Sequence, residues 1–374
     1  MNRPATLLLV GGGRWARVYL SILARLEMPF HSVLVASRHG EAALRTALEK
    51  ANAARFHQFS QVTDWRAERA GAAIVVNAAR EHAVTAGALL EMGIPTLVEK
   101  PVALSIAESE ALIALAQRSG LVLRPALVLN YCIYLRNFIE LMRGSLEKPV
   151  EIAITWTDPV AEKRYGEEKG HDAGIGLAED VGPHLATLLM AMGEAARIDD
   201  ARIGRGGLSV CLRGRYGLAA LTIEMAREAQ ARHRLICIRD DHGRQARLDF
   251  SVEPGTITID GASQSADPGW NDRPSPLTLQ LMDFLRLEPG ANDLDAIRTS
   301  TAFSAAAATM VRDAQRRWLA ENASASDEYR LVAMRELLAP GLASAGLVRA
   351  GDNKGLETAA ALALRGDTAL RQYL

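Results

Sequence analysis

The chain has 374 residues, roughly 2.5 times a typical domain of about 150, so two domains and an appendage are expected and a small disulfide-stapled fold is excluded. Its 43 Lys and Arg against 44 Asp and Glu leave a net charge of −1, and nothing in that balance suggests a basic nucleic-acid surface. Cys132, Cys211 and Cys237 lie far apart in apolar runs and read as buried thiols in a reducing compartment. Only four apolar residues, Leu7 to Val10, precede the first glycines. That is too short for a signal peptide or a span, so a cytoplasmic protein without a membrane partner is expected.

In chain order, short apolar runs alternate with amphipathic ones up to about residue 150. Strands are predicted at Leu7–Val10, Ser32–Ala36, Ala73–Asn77, Thr96–Glu99 and Leu121–Leu127. Helices are predicted at Arg17–Arg25, Glu41–Ala51, Ala83–Glu91 and Ile106–Gln117, the last opened by a Ser105/Glu108 capping box. Continuous apolar strands interleaved with helices specify an α/β unit with a doubly wound parallel sheet. After about Pro149 the period falls to two. Leu208/Val210/Leu212, Leu221/Ile223/Met225, Leu248/Phe250/Val252 and Ile257/Ile259 predict an open, largely antiparallel sheet in an α+β unit. A helix over Gly176–Met192 interrupts it, and a Gly/Pro/Asn/Asp-rich loop, Gly261–Pro276, closes it. Leu277 to Leu374 reads as nearly all helix, without a heptad run.

The first strand runs into Gly11-Gly12-Gly13-Arg14-Trp15-Ala16, a G-x-G-x-x-A turn followed by a helix. A pyrophosphate needs a tight turn, close backbone approach and a helix N-terminus, and Gly11, Gly13 and Ala16 stand where these are required. An NAD site asks for an acid about 20 residues on, at the end of the second strand. Here that strand ends Val35-Ala36-Ser37-Arg38-His39, with no carboxylate. Ser37 and Arg38 suit a 2′-phosphate, so NADP(H) is expected in preference to NAD(H).

Glu99-Lys100-Pro101 places a lysine at the carboxyl end of a buried strand, the edge at which open α/β sheets bind ligands. Pro101 holds Lys100 out of helix. A lysine there also has the option of reaching out to water, and spacing alone does not decide. Asp180 and His184 are four apart in a segment of helical apolar spacing, so both point to one side, as an acid/base pair or half of a metal site. His171 and Asp172 lie nearby but complete no zinc spacing, and no metal is expected.

Four stretches in this order, Gly11–Ala16, Asn77-Ala78-Ala79-Arg80-Glu81-His82, Glu99-Lys100-Pro101 and Asp180-Val181-Gly182-Pro183-His184, make the chain resemble the glucose–fructose oxidoreductase/inositol dehydrogenase (Gfo/Idh/MocA) family over roughly residues 5 to 290. The resemblance implies a Rossmann domain (residues 1–127) and a substrate and oligomerisation domain (128–325), with a helical extension (326–374) that has no family counterpart. It further implies that Gly11, Gly13, Arg14, Trp15, Ala16, Ser37, Arg38, Asn77, Ala79, His82, Glu99 and Lys100 border the cofactor. Lys100 would lie beside nicotinamide and substrate, often with a cis bond to the following proline. His184 would be the general acid/base and Asp180 would orient substrate. Tyr131 and Arg136 occupy a stretch that borders substrate in relatives, though they serve equally well to start a helix and shield the domain junction; Tyr165 is a further pocket candidate. The chain departs from the family at Ala78-Ala79, where Thr-Pro is common, and at Tyr19, where His is common.

The reading that follows is an NADP(H)-dependent oxidoreductase without a nucleic-acid partner, acting as a homo-oligomer on a secondary alcohol or ketone of a sugar, sugar derivative or cyclitol. Two rivals stand beside it. Gly13–Leu20 also resembles imine reductases that act on thiazolines, which lack the Glu-Lys-Pro and Asp-x-Gly-x-His pair kept here, and a non-catalytic NADP(H)-binding regulator would need only the nucleotide pocket.

Overall fold

In the computed structural model, which describes residues 6–37, 42–54, 57–169, 171–172, 174–286, 293–348 and 352–374, apolar alternation builds two separate units. The chain opens with β1 (Thr6–Val10), α1 (Arg14–Leu23), β2 (Ser32–Ala36), α2 (Ala42–Ala53), β3 (Gln58–Val62), β4 (Ala72–Val75), α3 (His82–Glu91), β5 (Thr96–Glu99), α4 (Ile106–Ser119) and β6 (Leu123–Ala126). It continues through α5 (Ile133–Ser145), β7 (Pro149–Pro159), the short pair β8 (Lys163–Arg164) and β9 (Glu167–Glu168), and α6 (Leu177–Met192). Seven strands follow: β10 (Ala196–Gly204), β11 (Ser209–Tyr216), β12 (Ala219–Ala229), β13 (His233–Asp240), β14 (Gln245–Asp249), β15 (Thr256–Ile259) and β16 (Ala262–Ser265). The chain ends in α7 (Pro276–Leu285), α8 (Leu294–Glu321), α9 (Asp327–Ser344) and α10 (Asn353–Leu364).

The first unit comprises Met1–Val128, Lys163–Gly170 and Ser275–Thr301. Its six strands lie in the order β3-β2-β1-β4-β5-β6, all parallel. Successive residues of β1 serve opposite cores: Leu7 and Leu9 join Val33, Val35 and Ile74 on one face, and Leu8 and Val10 join Ala73, Val75 and Val98 on the other. This is why the strand reads as an unbroken apolar run. Leu277, Leu281 and Phe284 of α7 complete the first of these cores.

The second unit holds an eight-stranded sheet, β10-β11-β12-β7-β13-β14-β15-β16, antiparallel throughout except where β12 and β7 run parallel. One face is covered: Ile152, Ile154 and Trp156 of β7 and Leu221, Ile223 and Met225 of β12 pack with Tyr134 and Phe138 of α5, Leu185 and Leu188 of α6 and Val311 of α8. Within the helical extension, Leu338 and Leu342 of α9 pack against Leu356 and Ala360 of α10. No helix among the described residues is long and apolar enough to cross a membrane.

Several sequence expectations are corrected. The polar strand β3 and the strands β7, β10 and β13 were not predicted. Phe250 and Val252 do not continue β14, which ends at Asp249; Phe250 turns into the core while Val252 is 82% exposed. The loop Gly261–Pro276 contains β16, paired with β15. Helix α1 begins at Arg14, directly from the glycine turn, rather than at Arg17. Cys132 is buried, but Cys237 is exposed, because it lies between the inward Ile236 and Ile238 and therefore points to the outer face.

The turn before β11 meets α9 at close quarters. Gly206 has φ +71°, and a Cβ there would stand 1.9 Å from the Tyr329 carbonyl oxygen. Gly243 has φ +80° with nothing within 4 Å of an added Cβ. Gly243→Ala should cost only the left-handed backbone strain, about 1 kcal/mol, and Gly206→Ala roughly 2–3 kcal/mol more through the clash. Thermal unfolding by circular dichroism checks this, and equal losses would show that α9 yields freely.

Candidate active site

At the carboxyl edge of the first sheet, Gly11 is held where no side chain fits. Its φ is +135°, its N–H donates to the Ala36 carbonyl at 2.9 Å, and an added Cβ would lie 2.7 Å from the Val76 carbonyl carbon. Gly12 faces Ser37, whose Oγ would be 2.2 Å from a Cβ. Gly13 is different. It caps α1 with no side-chain hydrogen bond, and an added Cβ would meet nothing within 4 Å. An uncapped helix N-terminus opening on clear space fits a pyrophosphate. Ala16 is fully buried behind it.

Around that turn, Arg14 donates to the Arg164 carbonyl at 3.1 Å, and its guanidinium lies 5.0 Å from the Trp15 ring centroid. Trp15 also meets Tyr165 at 6.2 Å, so Tyr165, at φ 56° in the β8–β9 turn, belongs to the first unit and the glycine-loop end of it. Ser37 is buried just past β2, its carbonyl accepting from Gln61. Arg38 lies outside the described residues. Asn77 donates to Glu81 and Thr85, while its side-chain oxygen is buried with no hydrogen-bond partner among the described residues, which suits a polar group of a ligand. Ala79 opens a single turn ahead of α3. His82 is buried with its ring nitrogens 2.7 Å from the Pro101 carbonyl and 3.1 Å from the Asn77 carbonyl, so it ties the loop after β4 to the loop after β5.

Lys100 follows β5 and is half-buried, with a cis bond to Pro101. The carboxylate before it is turned inward: Glu99 Oε2 accepts the Lys100 N–H at 3.1 Å, and Oε1 accepts the Tyr19 hydroxyl at 2.7 Å. Gln280 of α7 in turn donates to the Tyr19 oxygen at 3.3 Å. Burial drives the Tyr19 phenol well above its usual range, with Glu99 adding to the rise. Burial also raises the Glu99 carboxyl, while the Tyr19 hydrogen bond and the charges of Lys100 and Arg14 pull it part of the way back. Tyr19 thus does more than fill the place of a His, since it fixes the acid that fixes the Lys100 backbone.

In the second unit, α6 carries both Asp180 and His184, each half-buried. The small residue between them has a packing reason, because a Cβ on Gly182 would stand 2.5 Å from Ser304 Oγ of α8. His184 stacks on Trp156 of β7, with ring centroids 5.0 Å apart and planes 17° apart. The Arg234 guanidinium lies 4.0 Å from the same indole centroid and is 1% exposed; it is ion-paired with Asp158 and donates to the Thr157 and His233 carbonyls. Trp156 therefore bridges a fixed cation and the imidazole. Asp180 Oδ2 accepts from Arg227 of β12 at 3.3 Å.

Tyr131 is half-buried in the turn Val128–Tyr131, and Arg136 is exposed in the first turn of α5. Trp156, Asp158, Arg227 and Arg234 escaped the sequence reading, as did Tyr19 and Gln280 as a pair. A signal existed for two of them: Arg227 continues the inward series Leu221/Ile223/Met225, and Arg234 sits in line with Ile236 and Ile238, so both are charges on a buried row. Among the described residues no three His, Cys, Asp or Glu are grouped to hold a metal.

Residues 6–127 match the family described as an oxidoreductase family with an NAD-binding Rossmann fold. The chain is 36% identical over 115 residues to the myo-inositol dehydrogenase Hyg17 of Streptomyces leeuwenhoekii, a stretch that is 31% of this chain and 34% of that protein. It thus spans about a third of the length of the curated relative it matches. The UDP-N-acetylglucosamine 3-dehydrogenase GnnA of Acidithiobacillus ferrooxidans shares the fold at a TM-score of 0.64 and 19% identity, over 84% of this chain and all of that one. KijD10, a 3-ketoreductase from Actinomadura kijaniata solved with NADP and TDP-benzene, does so at 0.63 and 17%, over 84% of this chain and 97% of its own. The likeness to the Gfo/Idh/MocA oxidoreductase family thus lies in residues 6–127, the stretch that carries the glycine turn and the Glu-Lys-Pro strand end.

Proposed function

We propose that this protein is an NADP(H)-dependent oxidoreductase that interconverts a secondary alcohol and a ketone on a sugar, sugar derivative or cyclitol. The observation that carries the reading is Lys100 at the carboxyl end of β5, its backbone pinned by a buried Tyr19–Glu99 pair in a unit whose glycine turn suits a dinucleotide. The relatives support the substrate class, being by name a dehydrogenase of myo-inositol, a dehydrogenase of UDP-N-acetylglucosamine and a 3-ketoreductase. The bound cofactor would supply or accept the hydride.

The chain's own residues take the remaining roles in this reading. His184 would accept the hydroxyl proton in oxidation and return it in reduction, an imidazole being suited to both near neutral pH. Its stack on Trp156 would set the ring's direction. Lys100 would stabilise the negative charge that develops on the same oxygen, a contribution of about 10²–10³ in rate for a preorganised donor. Asp180 would orient a substrate hydroxyl, and Tyr131 and Arg136 would border the substrate. On the nucleotide side, Gly11, Gly13, Arg14, Trp15, Ala16 and Ser37 would line the pyrophosphate and ribose end, Arg38 the 2′-phosphate, and Asn77, Ala79 and Glu99 the nicotinamide end. His82 would act by bracing two of these loops.

A panel of cyclitols and nucleotide sugars with NADP⁺ and NAD⁺ tests the activity. Lys100→Ala should lower kcat by about 10²-fold or more while NADPH affinity, read by calorimetric titration, stays within roughly threefold. Retained turnover would remove Lys100 from the chemistry. Arg38→Ala should weaken NADPH binding about tenfold or more and leave NADH binding nearly unchanged; equal losses would remove the 2′-phosphate role. His184→Asn should abolish the basic limb of the kcat/KM–pH profile, and a profile of unchanged shape would assign the proton to another group.

A further inference from the structure

The C-terminal extension delivers a carboxylate to the residue that holds Asp180. Arg227 lies on the covered face of β12, where the pairing with β7 shifts register between Ala226 and Ala229 and Glu228 takes φ 55°. Such a bulge re-aims the side chain. Its guanidinium, 4% exposed, donates to the Ile175 carbonyl at 3.3 Å, the Gly176 carbonyl at 3.4 Å and Asp180 Oδ2 at 3.3 Å. One planar group thus spans the start of α6 and Asp180, the second acid of its first turn.

A second acid approaches from α9. Glu336 is 3% exposed, with Oε1 3.9 Å from Arg227 Nη1 and Oε2 accepting from Gln315 Nε2 of α8 at 2.7 Å. Two glycines leave it room, since a Cβ on Gly176 or on Gly207 would stand 3.3 Å from its Oε2. Burial raises the Glu336 carboxyl, and the Arg227 charge and the Gln315 hydrogen bond draw it back. A nearby pair, Arg312 with Glu179 at 2.7 Å, neutralises itself. That leaves Arg227 facing two acids, one sealed and one, Asp180, 22% exposed.

We propose that Glu336 is a positioning residue: acting through Arg227, it weakens the guanidinium's hold on Asp180 and so keeps that carboxylate directed at substrate. The proposal rests on the reading of Asp180 as a substrate-orienting group. Without the charge of Glu336, Arg227 has Asp180 as its principal counter-ion and draws it toward the sheet, in competition with the substrate hydroxyl. The extension is then part of the machinery of the second unit.

Glu336→Gln keeps the shape and an acceptor for Gln315 while removing the charge. In the full-length protein it should raise KM for the carbon substrate about tenfold, with kcat within roughly threefold and NADPH affinity unchanged. A purely structural role would instead lower the melting temperature and the active fraction and leave KM alone, and that result overturns the proposal. In an Asp180→Asn background the same change should move KM less than about twofold; a persistent tenfold rise overturns it as well. Should Glu336→Gln not fold, Gln315→Leu, which removes the donor to Glu336, is read the same way with an expected KM rise of about threefold; an unchanged KM overturns the proposal. If the wild-type protein turns over no substrate, the oxidoreductase reading fails separately. The unfolding midpoints of Glu336→Gln, Asp180→Asn and the double variant then decide the linkage, with non-additivity expected and strict additivity overturning it.

Discussion

A charge removed from water must be met by an opposite charge or by hydrogen bonds, and the side chains proposed for chemistry here are placed by that requirement. Glu99 is buried and answered by Tyr19 and the Lys100 N–H. Arg234 is buried and answered by Asp158 and two carbonyls beside the indole that supports His184. Arg227 is buried and answered by the start of α6, Asp180 and Glu336. Removing one partner of such a group costs about 3–5 kcal/mol, enough to make each arrangement nearly all-or-none. The side chains proposed for chemistry are thereby held by groups that cannot relax without strong cost.

Close backbone approach is the second condition, and it explains residues that do no chemistry. Gly11 lets β1 turn against the loop after β4, Gly182 lets α6 lie on Ser304, and Gly207 and Gly176 leave space around Glu336. Each glycine removes a side chain from between two elements, and Gly11, Gly176 and Gly182 lie within or beside a segment that carries a candidate functional residue. The glycine of Asp-x-Gly-x-His is thus explained by helix packing, while the Asp and His either side of it face elsewhere.

The first unit was largely legible because a parallel sheet buried on both faces forces continuous apolar strands, and punctuation by glycine and caps marks where they end. β2 and β5 appear with the predicted limits, and the Ser105/Glu108 capping box forms. β3 did not announce itself, because an edge strand carries polar residues such as Gln58 and Gln61. In the second unit the apolar alternation exposed β11 and β12, but β7 and β13 each carry charged or aromatic residues in the inward row, which hides the period. Val252 mimicked the alternation without being in a strand.

By itself the sequence determined the alternation of strands and helices over most of the first unit, the glycine turn, and Lys100, Asp180 and His184 as residues of chemical interest, since these depend on local spacing and periodicity. Which side chains stand behind them was decided by tertiary structure alone. Tyr19 and Gln280 are 261 residues apart, Trp156 meets His184 from another strand, and Glu336 comes to Arg227 from the last quarter of the chain. No local pattern encodes such pairs, because a buried charge is satisfied by whatever partner the packing of distant elements brings to it.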